Sequence, residues 1–239
     1  MLPKTKEVLD LIANDELFIK YDIRFVGGTA LSYLIKHRLS EDLDFATLVL
    51  EPHQVEEIEE MIKKYGGEKL EHNITMEEYT LNDGEDIDLI YMKFMLNGVK
   101  IEFFTPPFNL EEESIWKNDK YTYYEDTTLK VASLDTIIYM KTMAFWNRKK
   151  YRDLFDIYYV IENKHISAHD FIKNYLEYNI THSTSSLHKN IQSPTLFFLK
   201  TTDEGINTLV TDPKPYDWYR TKIEEFIHGV LLDDLYSSF

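Results

Sequence analysis

Asp42-Leu43-Asp44 stands at the start of a β-rich run, Leu43 to Val49. Side chains alternate along an extended strand, so both carboxylates fall on one face, about 7 Å apart, and Leu43 anchors the other face in a core. Two carboxylates at that spacing repel each other and lose solvation if buried together, which would drive one to protonate. A shared divalent cation that prefers oxygen ligands removes that cost, and Mg²⁺ is the natural choice. Glu102 is a third candidate ligand, inside the apolar run Val99-Lys100-Ile101-Glu102-Phe103-Phe104, where an acid is costly unless it is paired or metal-bound. Its competing partner is Lys93. The turn Asn97-Gly98, taken as type I′, pairs Leu96 with Val99 and Lys93 with Glu102, and the ion pair and metal ligation are compatible. A second acidic triplet, Asp86-Ile87-Asp88, follows the polar turn Asn82-Asp83-Gly84 and reads as a solvated strand end.

Gly27-Gly28 lies between a short strand, Asp22 to Val26, and a helix predicted over Thr29 to His37. Without Cβ atoms a phosphate can approach the backbone there, and the helix N-terminus offers it unpaired N–H groups. A glycine pair at such a turn is in itself commonly just a turn.

Other elements must frame these residues. Val8, Leu9, Leu11, Ile12 and Leu17 recur at helical spacing from Thr5 to Phe18. Pro52 opens a further helix that Gly66-Gly67 ends. Ile87 to Thr105 is the clearest hairpin. From Pro106 to about Asp126 the chain is irregular, acidic and aromatic, and Trp116, Tyr121, Tyr123 and Tyr124 either line a base-stacking wall or pack beneath a loop. Beyond Ser133, a plausible N-cap, the pattern is helical, with breaks near Asn163, Thr181 to Ser186, and Asp212 to Pro215. This predicts an α+β fold: residues 1–105 as a mixed-sheet core, 106–129 as a connecting segment and 130–239 as a helical domain.

Composition narrows the class. A chain of 239 residues with 44% hydrophobic and 14% aromatic residues can bury a core, and it carries no Cys, so disulfides, cysteine catalysis and cysteine-bound metals are excluded. No run approaches the roughly 18 to 20 apolar residues of a membrane span, and the chain reads as soluble and cytoplasmic, with no membrane partner. The net charge of -16 opposes non-specific nucleic-acid binding. Its one dense exception is Lys141, Arg148, Lys149, Lys150 and Arg152, where no acid intervenes. His165 and His169 have the i, i+4 spacing of a zinc pair but no evident third ligand, and read as a surface pair.

Strand, Gly-Gly, helix, Asp-x-Asp and a distant acid on a later strand resemble the DNA polymerase β-like nucleotidyltransferase superfamily. The segment FVGGTALSYLIKHRLSEDLDF, residues 25–45, is similar to the first motif of the AbiEii/AbiGii-type toxins of that superfamily, through Gly27, Gly28, Thr29, Ala30, Leu31, Arg38, Ser40, Asp42, Asp44 and Phe45. Lys141-x-x-Ala144-x-x-x-Arg148-x-x-x-Arg152-Asp153-x-x-Asp156 is similar to the family's helical motif, and helical spacing puts Lys141, Arg148, Arg152 and Asp156 near one face. The broader superfamily often has Gly-Ser where this chain has Gly27-Gly28, with Thr29 standing in for the missing hydroxyl. The two motifs span about residues 20–160, and nothing beyond Asn163 carries the likeness.

The resemblance implies a polymerase-β-like core and transfer of NMP from an NTP to an acceptor, with release of pyrophosphate. Asp42, Asp44 and Glu102 would hold Mg²⁺, two ions in a two-metal scheme, with Lys141 and Asp156 also catalytic. Gly27, Gly28, Thr29, Arg38, Ser40, Lys141 and Arg148 would bind the nucleotide. The implied acceptor is RNA, especially tRNA ends, or a protein hydroxyl, and the implied partner is an antitoxin. Two rival readings remain: a toxin that binds nucleotide or partner without turnover, and a plain interaction protein whose acidic triplet is solvated.

Overall fold

The structure is a computed structural model that describes residues 1–71, 87–106, 113–147, 151–178, 183, 185–187, 189 and 206–236. It divides into two compact units, Met1–Ile137 and Ile138–Phe239.

The first unit is built on a sheet of seven strands among the described residues: β1 (Arg24–Val26), β2 (Leu43–Ala46), β3 (Glu68–Lys69), β4 (Tyr91–Leu96), β5 (Val99–Phe104), β6 (Thr122–Tyr123) and β7 (Lys130–Val131). They lie in the order β3-β4-β5-β2-β1-β7-β6. The sheet is mixed, since β1 runs antiparallel to β2 and parallel to β7 while β2 runs parallel to β5. The hairpin has the expected register, with Leu96 opposite Val99 and Lys93 opposite Glu102. Both turn residues, Asn97 at φ 50° and Gly98 at φ 72°, take the left-handed conformation that a type I′ turn requires. The strand begins later than the hydrophobic run suggests, because Ile87–Leu89 closes a 3₁₀ turn with the Ile90 N–H on the Ile87 carbonyl.

Alternation along the hairpin separates two faces. Met92, Phe94, Leu96, Val99, Ile101 and Phe103 are buried, while Tyr91, Lys93, Lys100 and Glu102 on the opposite face are half-buried. The buried face stacks Phe45 on Phe103 at 5.1 Å and sets Phe18 and Phe25 against Phe45. This aromatic layer fixes strand register, because a slip of one residue would expose every ring.

Helix α1 (Pro3–Ile12) starts on Pro3 and buries Val8, Leu9 and Ile12. The expected helix from Thr5 to Phe18 is split, and α2 (Leu17–Lys20) follows a break at Asp15, whose buried carboxylate accepts the Leu17 N–H and bonds Lys64 and Tyr65. Helix α3 (Gly27–Ile35) begins at the glycines themselves, two residues earlier than predicted. Helix α4 (Pro52–Lys64) has a capping box, Glu51 with Gln54, and ends where the Gly67 N–H returns to the Ile62 carbonyl.

The segment read as an irregular connection holds α5 (Glu113–Lys117) and the strands β6 and β7, so the sheet continues well past Thr105. Arg24 ties this region down. Its buried guanidinium pairs with Asp22 and Asp119, donates to the Trp116 carbonyl and lies 4.3 Å from the Trp116 ring centre. Trp116 and Tyr124 are fully buried, and Lys130 sits over the ring of Tyr121, so packing rather than base stacking accounts for three of the four aromatics. Tyr123 remains exposed.

Helix α6 (Leu134–Asn147) is capped by Ser133, whose hydroxyl accepts the Thr136 N–H. The second unit contains the rest of α6 with α7 (Tyr151–Glu162), α8 (Ala168–Tyr178), α9 (Ile206–Leu209) and α10 (Tyr216–Tyr236), and α10 packs on α7 and α8. Leu154, Ile157, Phe171, Tyr175, Tyr219 and Ile223 form its core. His169 is exposed beside Asp170, and His165 rests on Tyr159. No helix among the described residues is long and apolar enough to cross a membrane.

Candidate active site

The first unit gathers most of the predicted residues at the junction of β1, α3, β2 and β5. Val26 pairs with Asp44 across β1 and β2, and Asp44 pairs with Glu102 across β2 and β5, so the second carboxylate of the triplet and the distant acid are neighbours on adjacent strands. Leu43 is fully buried, as alternation requires, while Asp44 is partly exposed.

Gly27 shows why the glycine pair is needed. At φ 72° it turns from strand to helix in a conformation that costs an L-residue energy, and a Cβ there would lie 2.0 Å from Asp44 Oδ2. The Asp44 carboxylate therefore rests against the backbone at the first turn of α3. A Cβ on Gly28 would lie 2.6 Å from Arg38 Nη2, which sets a buried guanidinium beside the same turn. Gly27→Ala should lower stability by about 2 to 3 kcal/mol, from strain and the displaced carboxylate, and thermal unfolding with a transfer assay would register both losses.

Thr29 and Ser40, expected at the nucleotide, also bond within the protein. Both are buried. Thr29 Oγ1 bonds the Asp42 carbonyl and lies 2.7 Å from Ser40 Oγ. A hydroxyl has one proton, so Thr29 donates to the carbonyl and accepts from Ser40. Ser32 Oγ donates to the Arg38 carbonyl, Thr5 Oγ1 to the Glu41 carbonyl, and the Leu2 N–H to the Ser40 carbonyl. These bonds pin the loop between α3 and β2, which carries Arg38 and Asp42. Thr29→Val keeps the shape but orphans the Asp42 carbonyl, and should cost about 1 to 3 kcal/mol. Thermal unfolding measures that loss.

The charge pattern contains a residue that sequence reasoning missed. Lys100 Nζ lies 2.9 Å from Glu102 Oε1 and 3.2 Å from Asp42 Oδ2, so the ion pair of Glu102 runs along its own strand rather than across to Lys93. The Tyr91 hydroxyl donates to Glu102 at 2.6 Å. Burial pulls the Glu102 pKa up, but the Tyr91 hydroxyl, Lys100 and Asp44 outweigh it and hold the carboxyl below its ordinary value. Burial likewise disfavours the Lys100 charge, yet the carboxylates of Glu102 and then Asp42 raise its pKa above that of a free lysine. The signal in the sequence was Lys100-x-Glu102, which alternation places on one face. Asp88, in the triplet read as solvated, pairs with Lys69, while Asp86 lies outside the described residues.

In the second unit, Lys141 is buried and its ammonium is held by Asp153 Oδ1 at 2.7 Å and Asp156 Oδ2 at 2.9 Å. Asp156 is fully buried and paired with Lys141. Asp153 was missed as a member of this cluster. Arg148, Lys149 and Lys150 lie outside the described residues.

The family model described as the AbiEii nucleotidyl transferase toxin, type IV toxin-antitoxin system, matches residues 11–226. The chain belongs to this family. It is therefore a nucleotidyltransferase of the AbiEii toxin group, with the α+β fold expected of it. A crystal structure of a candidate nucleotidyltransferase from H. pylori is similar with TM-score 0.55 and 17% identity, covering 98% of this chain and 99% of that one. MenT4, a nucleotidyltransferase toxin of Mycobacterium tuberculosis, is similar with TM-score 0.51 and 15% identity over 93% of this chain and 81% of that one. An uncharacterized protein of Aquifex aeolicus is 23% identical over 229 residues, covering 94% of this chain and 96% of its own. Both AbiEii motifs fall inside the matched span, on the α3 junction and on the Lys141 cluster.

The donor set suits a hard cation in kind. Asp42, Asp44 and Glu102 supply only carboxylate oxygens, and one ammonium already bridges two of them. Among the described residues, however, no three acid or histidine groups are drawn together closely enough to hold a metal ion as they stand.

Proposed function

We propose that this AbiEii protein is a Mg²⁺-dependent transferase that moves NMP from an NTP to an RNA hydroxyl, tRNA ends being the favoured class, as the toxin of a pair with an antitoxin. The observation that carries this reading is the pairing of Asp44 with Glu102, and of Asp42 with Glu102 through one cation, at the glycine-lined start of α3. Asp42, Asp44 and Glu102 would hold the metal, two ions when substrate is present. Bound Mg²⁺ would neutralise the triphosphate and lower the pKa of the acceptor hydroxyl.

The remaining work falls to the chain itself. The N–H groups at the first turn of α3, opened by Gly27 and Gly28, bind phosphate oxygens, and the Arg38 guanidinium beside Gly28 offsets their charge. Thr29 and Ser40 hold the loop that carries Asp42 rather than the nucleotide. Glu102 accepts the acceptor proton as the acceptor oxygen bonds to the α-phosphorus and the bond to pyrophosphate breaks. Lys141, oriented by Asp153 and Asp156, is the proposed cation for the leaving pyrophosphate, with Arg148 as a second nucleotide contact. NTP and RNA meet in the cytoplasm, where we place the protein.

Incubation of the protein with total cell extract and each of the four α-labelled NTPs tests this reading. RNase-sensitive label is the expected product. Label on protein would make the acceptor a protein hydroxyl, and NTP binding without any labelled product would make this a toxin that binds without turnover. With a net charge of -16, RNA must use a local basic surface. Lys149→Glu with Lys150→Glu should weaken RNA binding and flatten its salt dependence by roughly one unit of slope per lost phosphate contact, leaving NTP binding intact. Equal slopes would remove RNA from this surface.

A further inference from the structure

One row of residues crosses the sheet at the active site. Register pairs Val26 with Asp44, Asp44 with Glu102 and Glu102 with Lys93, so the row runs from β1 through β2 and β5 to β4. Directly opposed residues share a face, and neighbouring strands lie about 4.8 Å apart, so Lys93 stands at one end of the row and the glycine turn after Val26 at the other. The two ends differ in chemistry. At the α3 end, Gly27 and Gly28 open the backbone and the Arg38 guanidinium lies beside them. At the β4 end, Lys93 faces Glu102 across the strands, yet Glu102 is already taken by the Tyr91 hydroxyl at 2.6 Å and by Lys100 at 2.9 Å. Among the described residues no carboxylate comes within ion-pairing distance of the Lys93 ammonium, which lies 6.0 Å from the centre of the Tyr91 ring. In a chain whose 42 acids outnumber its 26 bases, this half-buried cation is left with its charge uncommitted.

We propose that Lys93 binds a backbone phosphate of a single-stranded RNA acceptor and so places the acceptor hydroxyl beside Glu102. This rests on the reading of the protein as a transferase that acts on RNA, with Glu102 taking the acceptor proton. In-line displacement fixes the side of approach, because the acceptor oxygen bonds to the α-phosphorus opposite the breaking bond to pyrophosphate. With the triphosphate at the start of α3, the acceptor enters over β5 and β4, where Lys93 stands. Tyr91 and Phe104, opposite each other on the same half-buried face, add aromatic surface to that approach. A cation interleaved with aromatic side chains suits a single strand, whose bases stack while its phosphates pair, better than it suits a simple anion. Lys93 itself binds and orients, and takes no part in proton transfer.

The experiment measures transfer of α-labelled NMP to total tRNA by the wild type, Lys93→Gln and Lys93→Arg, varying tRNA and NTP separately. Binding of tRNA against salt concentration and a melting curve are recorded for each protein. Lys93→Gln should raise the KM for tRNA about tenfold and flatten the salt dependence of tRNA binding by roughly one unit of slope, the share of one phosphate contact. Its KM for NTP and its melting temperature should match the wild type, because no acid among the described residues relies on this ammonium. Lys93→Arg keeps the charge and should stay close to the wild type. An unchanged KM and salt slope for tRNA, a KM that rises for NTP instead, or a lower melting temperature with both KM values raised together would overturn the inference while leaving transfer to RNA standing. Absence of label on tRNA with the wild-type protein would overturn the reading of RNA as acceptor, and the inference with it.

Discussion

Asp44→Asn is expected to abolish nucleotidyl transfer, by about a thousandfold or more, while leaving the fold in place. Asp44 is the carboxylate in register with Glu102 and packed against the Gly27 backbone, so among the three candidate ligands it is closest to the start of α3. An asparagine of the same shape keeps the contact with Gly27 but supplies no charge to a metal or to the donors around it. Loss of metal-assisted stabilisation in the transition state is worth several kcal/mol, and each 1.4 kcal/mol or so is tenfold in rate. Stability should hold, because an asparagine amide can still hydrogen-bond Glu102 and Lys100 still bridges Asp42 and Glu102. Transfer of labelled NMP and a melting curve in EDTA check the two halves of the prediction. A sharp drop in melting temperature with activity preserved would mean that Asp44 serves the fold and not the reaction.

Lys141→Ala should have the largest effect on stability. Lys141 is only 7% exposed, and its two partners, Asp153 at 2% and Asp156 at 0%, are buried more deeply still. Removing one member of a buried ion cluster costs about 3 to 5 kcal/mol, because the charges left behind have neither partner nor water. Two buried carboxylates on one face of α7 lose this ammonium together, so a loss within that range is expected. Lys141→Arg keeps the charge and should retain most of the stability. Chemical denaturation of the three proteins at pH 7 measures both effects. If Lys141→Ala melts like the wild type, Lys141 is not the keystone of that cluster, and a pure phosphate-binding role becomes the better account.

Local and periodic features were decided by the sequence. The hairpin register follows from Asn97-Gly98, because two residues with positive φ leave only one way to pair the flanking strands. The start of α4 follows from Pro52, the cap of α6 from Ser133, and the placement of Asp44 opposite Leu43 from strand alternation. The membership of the chain in its family was likewise carried by residue types at fixed spacings around Gly27 and Lys141. Tertiary structure decided what those residues touch. Lys100 rather than Lys93 partners Glu102, because the cross-strand neighbour is fixed by register while the ion pair is fixed by which side chain also reaches Asp42, just before β2. Thr29 turns its hydroxyl to the Asp42 carbonyl because the loop after α3 folds back over it. Strand β7 forms because β1 offers it an edge and β6 then pairs with β7, and two-residue strands leave no periodic trace of their own. Lys141 pairs with Asp153, twelve residues away, because two helices bring them together and bury them where an unpaired charge could not remain. Spacing along the chain specifies which residues share a face, but only long-range packing specifies which faces meet, and the electrostatics of this site depend on the latter.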